Sequence, residues 1–141
     1  MKGFTLIEVL IVIAIFSALA GMSAFFNITF YKGSSFNVDV DAFTTVLQRA
    51  RGKAVSNINQ LNQGVYIDTA KYVLFQGNSF MARNPVFDQN ITRNPNLAFS
   101  GASEVVFSRL SGDSNFSGNI IVTNGIKTAT ISLNYEGQID W

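Results

Sequence analysis

Hydrophobic and polar positions follow three successive patterns along the chain. Residues 9–31 contain no charge; as a helix this run reaches about 34 Å, enough to cross a bilayer core of about 30 Å with some tilt. The first pattern predicts a membrane-spanning helix. From Phe36 the apolar residues fall at Phe36, Val40, Phe43, Leu47, Ala50, Ala54, Ile58 and Leu61, spacings of three and four that form one helical stripe. Thr45, Gln48, Arg49, Arg51 and Lys53 occupy the opposite face. Asn37 or Asp39 suits the N-cap of this second, amphipathic helix, and Asp39 with Asp41 suits the positive end of its dipole. Between the two, Lys32-Gly33-Ser34-Ser35 breaks the apolar run and marks the membrane exit.

After Gly64 the period shortens to two or to brief apolar runs, the third pattern. Residues 65–68 and 72–76 read as a hairpin about a turn at 69–71. Residues 78–103, with Asn-Pro at 84–85 and 94–95, read as an irregular excursion holding one short strand near 97–99. Residues 104–110 form a strand. Asn124-Gly125 between two β-branched runs favours a two-residue type I′ hairpin, because both central residues must take positive φ. Trp141, the last residue, reads as cover for a sheet edge.

Composition narrows the function classes. The chain has 141 residues without cysteine or histidine. An extracytoplasmic head of about 110 residues must then hold together by packing alone, with neither disulfides nor thiolate metal sites. The commonest general base and metal ligand is missing, and with it the Ser-His-Asp and Cys-His nucleophile arrangements. No enzymatic activity is expected. Asp68, Asp88, Asp113 and Asp140 are scattered, without the alternating oxygen ligands of a calcium loop, so neither a metal nor any other cofactor is expected. Lys and Arg total 10 against 9 Asp and Glu, and loss of Lys2 would make the balance neutral. A nucleic-acid partner is not demanded by that balance; the one basic cluster, Arg49, Arg51 and Lys53, is the candidate contact if such a partner exists.

One charge stands out against the apolar N-terminus. Glu8 lies one helical turn after Phe4, where an ionised acid in hydrocarbon costs at least about 2.5 to 3.5 kcal/mol on insertion scales. Either such a residue is retained for a task, or it lies at the headgroup level and complements the positive end of the helix dipole. Gly3-Phe4-Thr5-Leu6-Ile7-Glu8 and the apolar residues 9–15 resemble the type III signal of type IV pilins and type II secretion pseudopilins. The resemblance implies that a prepilin peptidase cuts between Gly3 and Phe4 and N-methylates Phe4, and that Glu8 sets the register of assembly against the Phe4 amine of a neighbouring subunit. The leader of three residues with one lysine is shorter than many in that family.

The head adds a narrower likeness. Residues 47–57 resemble the helix end of H-type minor pseudopilins and T-type minor pilins, and residues 131–139 the terminal strand and Gly-containing turn of H-type heads. This resemblance implies a pilin-like α+β fold with a long N-terminal helix packed on an antiparallel β-sheet head. Its implied parts are a leader at 1–3, a transmembrane and assembly helix at 4–31, and an extracytoplasmic head at 32–141 with a helix at 36–61 and a β-rich part at 64–141. The implied function is structural. The chain would be a single-pass inner-membrane precursor, with its head in the periplasm or outside, that joins other pilin or pseudopilin subunits in a pseudopilus or pilus. Two alternatives remain at this point: a DNA-binding minor pilin for DNA uptake, and a soluble β-rich domain released at Gly21 by an ordinary signal peptidase after Ala18-Leu19-Ala20.

Overall fold

The computed structural model describes residues 3–141, with 23–34 as backbone only. One helix, α1 (Leu6–Val55), contains both helical patterns of the sequence. Eight strands follow: β1 (Gln63–Ile67), β2 (Lys71–Gln76), β3 (Gln89–Thr92), β4 (Ala98–Ser100), β5 (Glu104–Phe107), β6 (Gly118–Thr123), β7 (Thr128–Leu133) and β8 (Ile139–Asp140). They form two antiparallel four-stranded sheets, ordered β3-β2-β1-β5 and β4-β6-β7-β8. The architecture is α+β. The chain divides into two compact units, Met1–Ser35 and Phe36–Trp141.

In the second unit the helical stripe meets both sheets. Phe36, Val40, Phe43, Leu47, Ala50 and Ala54 are buried as the spacing predicts, joined by Val46. Alternate strand residues complete the core: Val65, Tyr72, Leu74, Val105 and Phe107 from the first sheet, and Ile120, Val122, Ile131 and Leu133 from the second. Their neighbours Val73, Phe75 and Val106 are also buried, so the first sheet is covered on its outer face as well. Phe80 supplies part of that cover, stacking on Tyr66 with ring centroids 3.8 Å apart and meeting Phe75 edge-on at 5.8 Å. Gly64 belongs to this second layer, because the Phe75 ring occupies the space where a Cβ would stand.

Several expectations give way to longer-range contacts. The apolar spacing predicts helix as far as 61, but α1 ends at Val55, because Asn57, Asn59 and Gln60 take φ of 52°, 57° and 56°. Left-handed backbone suits Asn, and it turns Ile58 and Leu61 out of the stripe to 41% and 44% exposure. Asn37 and Asp39 cap nothing, since both lie inside α1. Asp39 instead accepts from Asn94 Nδ2 at 3.0 Å, and Asp41 accepts from the Trp141 indole at 3.3 Å. The excursion contains a second strand, β3, paired with β2. The turn between β6 and β7 is not centred on Asn124-Gly125: Asn124 N–H donates to the Lys127 carbonyl at 3.2 Å, which leaves Gly125 and Ile126 at the tip. Thr123 pairs with Thr128, and Gly125 takes φ 82° while Asn124 does not take positive φ. The Asn124 carboxamide oxygen instead accepts from the backbone of Ile126 and Lys127, an Asx-type device that needs no left-handed asparagine.

Candidate functional site

At the N-terminus, residues 3–5 are not helical and α1 begins at Leu6. Thr5 sets that start by accepting from the backbone N–H of Glu8 and Val9 at 3.1 and 3.3 Å. The Gly3–Phe4 bond therefore lies ahead of the first hydrogen-bonded turn. Phe4 is 82% exposed. Glu8 is exposed in the first turn, where its charge favours the positive end of the helix. Phe4, Glu8, Val9, Val12 and Ile13 border one shallow groove whose surface is apolar. Lys2 lies outside the described residues.

Beyond that groove, residues 10–22 of α1 are apolar on every side except at Ser17. Leu6, Ile7, Leu10, Ile11, Ile15, Phe16, Leu19 and Met22 are all exposed, and Ser17 returns its hydroxyl to the Ile13 carbonyl at 2.8 Å. A helix hydrophobic all round is one that something else covers. Among the described residues no helix is long and apolar enough to cross a membrane. The later part of the expected span, residues 23–31, has side chains outside the described residues.

The basic cluster of α1 does not converge. Arg49 and Lys53, four residues apart, share one flank, whereas Arg51 lies about 200° round the helix from Arg49. Arg51 donates Nε to the Gly112 carbonyl at 3.4 Å and an Nη to the Glu136 carbonyl at 3.1 Å. Its role there is to fasten the helix to two loops. Partial burial, with the neighbouring Arg49 charge, holds the Lys53 ammonium below the usual lysine range.

Arg83 and Arg93 make contacts that the sequence does not foreshadow. Arg83 binds both carboxylate oxygens of Asp88 through Nε, at 3.0 and 2.8 Å. Arg93 lies 4.6 Å from the Phe99 ring and donates to the carbonyls of Thr69 and Leu97. Neither is foreseeable from spacing along the chain, because the excursion has no period to register them.

An N-terminal helix with exposed apolar residues and one acid in its first turn, together with antiparallel sheets, is an α+β architecture compatible with a pilin-like fold. Residues 1–24 match the family model of the prokaryotic N-terminal methylation motif, the signature of type IV pilins and pseudopilins. The motif implies processing by a prepilin peptidase and assembly with other pilins. No curated protein and no solved structure matches the chain.

Proposed function

We propose that this chain is a structural subunit of a type II secretion pseudopilus or type IV pilus-like filament, of the minor H-type or T-type class. Residues 1–3 are the leader, 4–31 the transmembrane and assembly helix, and 32–141 the head outside the inner membrane. Prepilin peptidase cuts the Gly3–Phe4 bond and methylates the new amine of Phe4. The observation that carries this reading is the methylation motif over 1–24, set on a helix whose Phe4 and Glu8 both stand open at its start. The minor class is supported by the residues 47–57, where the Ala-Arg-rich helix end gives way to the first strand.

N-terminal peptide mass spectrometry on protein from its native membranes tests the proposal. A chain beginning at N-methylated Phe4 is expected. A mature chain beginning at Gly21 would overturn the filament reading and make the head a secreted domain. DNA uptake, the other reading of the basic cluster, would have to work with Arg49 and Lys53, because Arg51 is bonded to backbone carbonyls.

A further inference from the structure

We infer that Asn90, on the free edge of the first sheet, is an N-glycosylation acceptor that takes its glycan from a lipid-linked donor. The inference rests on one part of the proposed function, the head's place outside the inner membrane, where such donors are used.

Three triplets of the chain have the Asn-x-Ser/Thr form of an N-glycosylation acceptor: Asn27-Ile28-Thr29, Asn90-Ile91-Thr92 and Asn115-Phe116-Ser117. The motif alone does not rank them, but their surroundings do. Asn27 lies in the apolar run of α1, with its side chain outside the described residues. The Asn115 carboxamide is already in use. Its oxygen accepts from Val106 N at 2.8 Å, while the Asn115 backbone N–H donates to the Val106 carbonyl at 3.0 Å. Asn90 and Thr92 are both exposed, and among the described residues neither side chain makes a hydrogen bond.

The register of β3 opens the same triplet on its main chain as well. β3 is an edge strand, adjoining only β2 in the order β3-β2-β1-β5. Asn90 stands opposite Val73, Ile91 opposite Tyr72 and Thr92 opposite Lys71. Arg93 N–H donates to the Ala70 carbonyl at 3.0 Å, so the bonded pairs of this ladder fall at Arg93, Ile91 and Gln89, and the main-chain groups of Asn90 and Thr92 point away from β2. Side chains alternate with the same step. Ile91 packs on the core that includes Tyr72, which leaves Asn90 and Thr92 on the outer face with Val73 and Lys71. Ile91 is also the one residue of β3 that is partly buried. An enzyme can therefore draw this four-residue strand from the sheet at far lower cost than a central strand.

In the transfer, Asn90 Nδ2 attacks the anomeric carbon of a glycan carried on a polyprenyl diphosphate. The new C–N bond forms as the glycosyl C–O bond breaks, the polyprenyl diphosphate leaves with the bonding pair, and one Nδ2 proton passes to a base of the transferase. Nothing is oxidised or reduced. The Thr92 hydroxyl takes no part in bond making; it positions the acceptor. The product carries a bulky, solubilising group beside a sheet edge that is otherwise open to pairing with another chain.

Intact and peptide mass spectrometry on the full chain from its native membranes tests the inference. Trypsin cuts after Arg83 and Arg93, so residues 84–93 form one peptide in which Asn90 is the only acceptor triplet. That peptide is expected to carry a glycan. Asn90→Gln and Thr92→Ala should each lower the modified fraction at least tenfold, while Thr92→Ser, which keeps the hydroxyl, should retain it. A glycan that survives Asn90→Gln or Thr92→Ala overturns the inference. An unmodified 84–93 peptide on a chain beginning at N-methylated Phe4 also overturns it and leaves the filament reading standing. A glycan on Asn90 of a chain beginning at Gly21 does the reverse, and an unmodified chain beginning at Gly21 removes both.

Discussion

Tyr72 shows how one side chain ties the head to alkaline conditions. Its ring packs at 5.1 Å from Phe43 and 5.9 Å from Phe99 and is 2% exposed. Burial pushes the phenol up to about 12; the charge and hydrogen bond of Arg93 pull it partly back, and Asp39 adds to the rise. In the unfolded chain the same phenol ionises near its ordinary value of 10.0. The folded state therefore holds the proton more tightly, and this contribution to stability is complete below pH 10 and lost as pH rises from there toward 12. Absorbance titration should find one of the four tyrosines ionising last, and Tyr72→Phe should remove that step. The melting temperature of Tyr72→Phe should also fall less steeply above pH 10 than that of the native chain. An unchanged slope would assign the alkaline loss to other groups.

Among elements, the joint between α1 and the turn before β8 carries the sharpest expectation. Gly137 takes φ 74°, and a Cβ there would strike the Gly112 carbonyl and the Arg51 guanidinium. The turn is closed by Gly137 N–H to the Asn134 carbonyl at 3.0 Å and by Gln138 N–H to the Asn134 side chain at 2.8 Å. Gly137→Ala combines left-handed strain with a backbone collision and should cost about 2 to 3 kcal/mol. Arg51→Ala leaves two carbonyls without their donor, at about 1 to 3 kcal/mol. The two share one contact, so in urea unfolding the double variant should lose less than the sum; strict additivity would show that Arg51 and Gly137 act separately. This joint is hidden in the sequence, where Arg51 belongs to a basic run. Elements set by local period are legible there: the core stripe of α1, the β1–β2 hairpin and β5. Those set by distant partners are not. The sequence Gln89-Asn90-Ile91-Thr92 has no strand-like alternation of its own and becomes β3 through pairing with β2. Asn57, Asn59 and Gln60 end the helix by backbone conformation, which the apolar spacing through Leu61 conceals.

At the scale of the whole molecule, the candidate site is legible in the sequence because its chemistry is local. Gly3, Phe4 and Glu8 fall within one stretch that a spacing rule can read, and the structure adds that Phe4 and Glu8 stand exposed at the helix start. The apolar residues after them find no cover within the first unit's described residues. Whatever covers them, lipid or packed helices, also surrounds Glu8, and a carboxylate in such a medium must be paired or neutralised. On the proposed cleavage ahead of Phe4, the new amine would be a partner for Glu8, four residues away in the same chain or offered by a neighbouring subunit. Such pairing between subunits would fix how far one helix is displaced along the next, which hydrophobic contact alone leaves loose. Glu8→Ala should therefore leave peptidase cleavage and membrane insertion intact while lowering recovery in sheared filaments by about tenfold, the effect of roughly 1.4 kcal/mol on an equilibrium. Glu8→Gln separates the two ways the residue could act. It retains size and hydrogen bonding but not charge, so a loss equal to that of Glu8→Ala assigns the effect to the ion pair. Normal recovery of Glu8→Ala would remove the register role and leave Glu8 as a carboxylate complementing the helix N-terminus.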